Sequence, residues 1–151
     1  PYQKLFFSTF KYGNLIPLFG GEEVPPEQLL PQQHVLLLTG IAMPEQMRMD
    51  LEHYGSHITP LSFGDHHYFS TRDAALISNT FAQMPAPKLI VTTEKDATRL
   101  QNLKGLSEEA RQHLYALPVE IEILQNQQES FNENITGYVF KNSRNSILAK
   151  K

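Results

Sequence analysis

Short apolar stretches alternate along the chain with amphipathic ones, and the two periods predict strand and helix in turn. Residues Tyr2–Tyr12 carry Leu5, Phe6, Phe7, Phe10 and Tyr12 among polar neighbours, a β-rich opening with partial alternation. Gly20-Gly21, Pro25-Pro26 and Pro31 interrupt the next stretch, so 20–31 reads as a loop or an interlobe linker. His34–Thr39 is continuously apolar and ends at Gly40, the pattern of a strand buried on both faces of a parallel sheet. Pro44 at a first helical turn, followed by Met47, Met49, Leu51 and Tyr54 before Gly55, predicts a helix with glycine near its C-terminal end. Extended character returns at His57–Phe63. Ser70-Thr71-Arg72-Asp73 then has the Ser-x-x-acid form of a capping box and opens a helix to about Gln83. Pro85 and Pro87 end it. Lys88–Thr92 is a further β-branched run, a third helix enters at Glu94 and runs through Leu100 or Leu103, and Val119–Leu124 reads as another strand. Phe131, Ile135, Tyr138 and Val139 suggest a closing amphipathic helix before Lys150-Lys151.

This alternation predicts an α/β fold, a mainly parallel sheet with flanking helices in three Rossmann-like layers. With 151 residues, 40% of them hydrophobic and 19% charged, the chain has material for one sizeable core, and residues 1–151 read as a single lobe rather than a disordered segment. The 13 basic and 16 acidic side chains give a net charge of −3, which provides no global footprint for nucleic acid. Cysteine is absent, so disulfide frameworks, thiolate metal sites and a cysteine nucleophile are excluded. No apolar run is longer than Val35–Leu38, which is far too short to span a bilayer. Pro1 and the abrupt strand-like opening suggest a piece of a longer protein.

Ligands of open parallel sheets bind beyond the carboxyl ends of the strands, which directs attention to three motifs. Thr39-Gly40-Ile41-Ala42 would let the backbone pass closely under a phosphate, or simply make a tight strand-to-helix turn. Asp65-His66-His67 sets a carboxylate beside two imidazoles, a combination suited to orienting a tautomer, moving a proton near neutral pH or holding a divalent metal. Adjacent histidines point differently, so at most one faces a reaction; alternatively Asp65 caps backbone amides and both rings are solvated or packed. Thr93-Glu94-Lys95-Asp96 offers a hydroxyl, two carboxylates and an ammonium at a helix start, either to meet phosphate through Thr93 or Lys95 or to cap the helix and balance its dipole. The chain holds no Gly-x-x-x-x-Gly-Lys-Ser/Thr, Gly-x-Gly-x-x-Gly, Gly-x-Ser-x-Gly or His-Glu-x-x-His motif, so it does not assemble a standard nucleotide-hydrolysis centre by itself.

Four phrases occur in a telling order: Tyr2-Gln3-Lys4-Leu5-Phe6-Phe7-Ser8 with Tyr12-Gly13; Val35-Leu36-Leu37-Leu38-Thr39-Gly40-Ile41-Ala42; Phe63-Gly64-Asp65-His66-His67-Tyr68-Phe69; and Val91-Thr92-Thr93-Glu94-Lys95-Asp96-Ala97. The ordered set resembles the C-terminal half of the tetraacyldisaccharide 4'-kinases, the lipid A 4'-kinases of Gram-negative bacteria, over Tyr2–Leu100. The resemblance implies a P-loop-kinase-like fold of two α/β lobes. It further implies phosphate transfer from ATP, with Mg²⁺, to the 4'-hydroxyl of tetraacyldisaccharide 1-phosphate at the cytoplasmic face of the inner membrane. The P-loop, the metal-binding acids and the catalytic Asp would then belong to an N-terminal lobe, the partner of this one, which also makes most of the membrane contact. No metal ligand is expected in this chain.

On the matching motif, His66 resembles the family histidine that the C-terminal lobe brings to the reaction, with Asp65 orienting it or capping the next helix. His67, Thr93, Glu94, Lys95 and Asp96 are weaker candidates for substrate or phosphate contact. Two other classes compete: a metal-dependent phosphoesterase of the Asp-His-His type, which needs several more Asp or His ligands at strand ends, and a non-catalytic nucleotide- or partner-binding domain.

Overall fold

The computed structural model describes residues 8–40, 44–63 and 68–123. The chain divides into two compact units, Tyr12–Pro118 and the pair of segments Pro1–Lys11 and Val119–Lys151. In the second of these, the described elements are β1 (Ser8–Tyr12), which reaches the boundary, and β7 (Val119–Ile123), paired as a two-stranded sheet. Of the expected strand Val119–Leu124, Val119–Ile123 is one, but it joins β1 rather than the main sheet. The expected closing helix around Phe131–Val139 lies outside the described residues.

Tyr12–Pro118 is built on five strands: β2 (Ile16–Pro17), β3 (His34–Thr39), β4 (His57–Ser62), β5 (Lys88–Thr93) and β6 (Leu114–Leu117). Their order across the sheet is β2-β6-β5-β3-β4; β3, β4, β5 and β6 are parallel and β2 runs antiparallel to β6. The helices are α1 (Pro26–Leu29), α2 (Pro44–Glu52), α3 (Thr71–Ala82), α4 (Glu94–Leu100) and α5 (Glu108–Gln112). The stretch 20–31 contains α1, buries Pro26 and Leu30, and is bonded back to the unit through the Leu15–Val24 bridge.

The register explains why β3 and β5 are apolar at consecutive positions. Leu36 and Leu38 sit beside Ile90 and Thr92 on one face, and Val35 and Leu37 beside Leu89 and Val91 on the other. The first face packs with Ala74, Ile77 and Phe81 of α3, Leu100 of α4 and Ala110 of α5. Over the β3–β4 side of the second face lies α2, which buries Met47 and Leu51. Each fully buried leucine removes enough apolar surface from water to contribute about 2 kcal/mol, so two central strands covered on both sides dominate the core.

Local signals place the helices. Ser70 Oγ accepts from the Asp73 backbone N–H at 3.2 Å and the Asp73 carboxylate accepts from the Ser70 N–H at 2.9 Å, a complete capping box at the start of α3. After α2 the chain turns at Gly55, whose φ of +85° is unfavourable for residues with a side chain.

Candidate functional site

The order of the strands locates the one place in the sheet where connections part. The chain leaves β3 towards β4 on one side, while from β5 it continues to β6 on the other. Such a reversal between adjacent parallel strands is where open α/β sheets form, at the carboxyl ends of the strands, the crevice that receives ligands. The residues at those two ends are Thr39-Gly40 and Thr92-Thr93, with the first turn of α4 following.

One carboxylate joins the two ends. Asp96 is fully buried; its Oδ2 accepts the Gly40 backbone N–H at 2.8 Å and the Thr93 hydroxyl at 2.8 Å. The Thr93 hydroxyl in turn accepts the Asp96 backbone N–H at 3.1 Å and so caps α4. Asp96 Oδ1 receives no hydrogen bond from the described residues and has Arg99 Nη1 at 3.8 Å. The hydroxyls of Thr39 and Thr92, also fully buried, have no hydrogen-bond partner among the described residues. Buried polar groups are almost always satisfied, so three such oxygens at one end of two neighbouring strands mark a departure from ordinary core construction. The sequence points to Thr39 only through the motif it shares with Gly40, and to Thr92 only through its place at the end of an apolar run.

Thr93 and Asp96 are thus engaged with each other and with β3, whereas Glu94 and Lys95 between them are exposed. The Gly40 N–H that a phosphate would need is already taken by an internal carboxylate, whose negative charge would oppose a second anion. The sequence presents Thr39-Gly40 and Thr93–Asp96 as separate motifs, and the fold makes them one unit across the crevice.

Asp65, His66 and His67 lie outside the described residues. The structure does describe what brackets them. The Phe63 N–H donates to Thr39 O at 2.9 Å at the end of β4, and the Phe63 and Phe69 rings meet edge to face with centroids 5.2 Å apart. Both phenylalanines pack against the core that also holds α3, whose capping box begins at the next residue, Ser70.

At the opposite end of the strands there is a cavity of about 300 Å³ beside Lys88, Glu109 and His113. The Lys88 ammonium donates to Phe81 O at 2.6 Å and Ala82 O at 3.3 Å, closing the last turn of α3, and lies 3.4 Å from Glu109. Its charge is spent within the fold. Among the described residues no three His, Asp or Glu side chains gather to hold a metal ion, and no helix is long and apolar enough to cross a membrane.

Comparison with known proteins gives this geometry a family. Residues 12–139 match the LpxK family model, described as tetraacyldisaccharide-1-P 4'-kinase. The tetraacyldisaccharide 4'-kinase of Bacteroides thetaiotaomicron is 49% identical over 100% of this chain and 42% of its own length, and that of Phocaeicola vulgatus is 48% identical over 97% and 40%. A crystal structure of LpxK from Aquifex aeolicus in complex with ATP superposes at a TM-score of 0.44, with 18% identity over 89% of this chain and 38% of that one. The chain spans about two fifths of the length of these curated relatives. With its parallel α/β sheet and a family match over most of its length, the chain belongs to the tetraacyldisaccharide-1-P 4'-kinase family.

Proposed function

We propose that this chain is the C-terminal lobe of a kinase that moves phosphate from ATP to the 4'-hydroxyl of tetraacyldisaccharide 1-phosphate, at the cytoplasmic face of the inner membrane of a Gram-negative bacterium. The family match over residues 12–139 carries this reading. The lobe does not work alone. With no P-loop in the sequence and no acidic cluster among the described residues, the reading assigns the main binding motifs for ATP and Mg²⁺ to the remaining part of the protein.

Phosphoryl transfer depends chiefly on positioning and on electrostatic stabilisation, so a second lobe contributes by excluding water and by bringing one more group to the reacting phosphate. His66 is that group in this proposal, either assisting the base of the other lobe or steadying phosphate charge, with Asp65 setting its orientation. His67, Thr93, Glu94 and Lys95 rank behind it. The metal-dependent phosphoesterase reading is not favoured, because the relatives that match are named as kinases.

The test is turnover of the full-length protein on tetraacyldisaccharide 1-phosphate with ATP and Mg²⁺. His66→Ala should lower kcat by about a hundredfold, the scale of a lost general acid–base group, while nucleotide KM changes little. A wild-type protein without this activity would remove the kinase reading; an unaltered kcat in the variant would remove only His66 from the mechanism.

A further inference from the structure

We infer that Asp96 is a positioning residue for the phosphoryl transfer proposed above, on which this inference rests: its buried carboxylate holds the ends of β3 and β5 in register across the crevice. Enclosing a carboxylate in a protein interior is penalised by several kcal/mol unless hydrogen bonds and a counter-charge compensate it. Among the described residues the Asp96 carboxylate accepts two hydrogen bonds, both on Oδ2, and its guanidinium neighbour stands at 3.8 Å from an Oδ1 that accepts none. A helix cap alone requires much less, because Asp73 performs that task in α3 from a part-exposed position. What the burial of Asp96 adds is the bond to Gly40, 56 positions away along the chain.

That bond lies where the connections diverge. The backbone leaving β3 at Gly40 and the backbone entering α4 after β5 lead to opposite sides, and the register described between these strands ends at Leu38 and Thr92. Beyond that pair, the Asp96 carboxylate continues the join by replacing a ladder bond with a side chain. The Phe63 N–H bonds to Thr39 O, one residue before Gly40, so the strand that leads to the Asp65-His66-His67 motif is anchored to the same end of β3. A shift at Gly40 is thereby passed to the entry of that motif, and misplacement of a reacting group by about 1 Å costs on the order of a hundredfold in rate.

The experiment uses the full-length protein and compares wild type, Asp96→Ala, Asp96→Asn and Thr93→Val. Kinetic constants for ATP and lipid are expressed per folded molecule, and thermal midpoints are recorded in parallel. Asp96→Ala should lower kcat by about tenfold or more with KM for ATP within about twofold. Asp96→Asn keeps an oxygen to accept from Gly40 and Thr93, so it should recover kcat to within about threefold of wild type. A purely structural role would lower the midpoint and the folded yield while leaving kcat per folded molecule unchanged, and that result overturns the inference. If Asp96→Ala does not fold, Thr93→Val decides: a reduced kcat at unchanged KM supports positioning, and a wild-type kcat overturns it. An inactive wild type overturns the kinase reading itself, whereas an active wild type with an equally active Asp96→Ala overturns this inference alone.

Discussion

The same spacing of residues is put to two uses in this chain. Ser70-x-x-Asp73 and Thr93-x-x-Asp96 both place a hydroxyl residue at an N-cap and an aspartate three positions later. Asp73 turns back to its own cap and stabilises one helix; Asp96 keeps a bond to its own cap, the Thr93 hydroxyl, and reaches on to Gly40, joining two strands. What separates them is the preceding segment: Ser70 follows a loop, while Thr93 is the last residue of a buried strand, so the carboxylate enters the sheet instead of water. A third polar side chain shows how burial sets chemistry at this scale. The Tyr12 phenol is half-buried and donates to the Asp50 carboxylate, which also accepts from Gln46 at 2.9 Å. Burial first, and then the bond to Asp50, raise the Tyr12 pKa far above the usual phenol value. The neutral phenol is therefore favoured in the folded state. Its contribution is fully present below the unfolded-state pKa of about 10 and is lost as pH rises beyond that value. Replacing Tyr12 by Phe should cost about 1 kcal/mol near neutral pH, and the gap from wild type should narrow at about pH 11. Urea midpoints at the two pH values measure both effects; a gap that stays constant would show that the phenol does not contribute to alkaline unfolding.

Among the elements, β3, β5 and α3 were legible because one local feature determined each. Continuous apolar residues mark a strand covered on both faces, and a capping box marks a helix start. By contrast, α5 has five residues and β6 four, too few for either period to register, and β2 has only Ile16-Pro17. No element is expected at α5 from the sequence; in the structure Ser107 caps it, its Oγ accepting the Ala110 N–H at 3.1 Å. The joining of Thr39-Gly40 to Asp96 could not be read from the sequence, since it depends on which strands become neighbours. Strand β4 shows a different economy. Among the described strands it forms the edge, paired to β3 alone, and Pro60 stands in its middle. The N–H groups of His57 and Phe63 bond towards Gln33 and Thr39, so odd positions face β3 and even positions, Pro60 included, face outward. Proline thus lacks a donor only where no described strand would use it, and it interrupts the open row to which another chain could add. Pro60→Thr should leave the urea midpoint within about 0.5 kcal/mol of wild type while increasing concentration-dependent light scattering. Unchanged scattering at high concentration would show that this edge is protected in another way.

At the scale of the molecule, the fold places its most stable part directly beneath its candidate site. Strands β3 and β5 are central, buried on both faces, and end at the crevice where the connections diverge. The two-stranded sheet of β1 and β7 belongs to a different unit, and a sheet of two strands has little intrinsic stability in water. Cooperative opening should therefore be graded rather than uniform. In native-state hydrogen exchange, the amides of Leu36–Leu38 and Ile90–Val91 should exchange only through global unfolding, with the full denaturant dependence of that event. Those of β4, an edge with Pro60 within it, should open earlier, and those of β1 and β7 earlier still by local fraying. The Gly40 amide is the informative exception. A turn residue at a strand end ordinarily exchanges through local opening, but this N–H is held by a fully buried carboxylate. If Asp96 joins the two central strands as argued, Gly40 should share the protection of Leu38 in the wild type and lose about two orders of magnitude in Asp96→Ala, the equivalent of about 3 kcal/mol. Rapid exchange at Gly40 in the wild type would mean that the carboxylate does not hold the turn in solution, and the ends of β3 and β5 would then be set by the ladder alone.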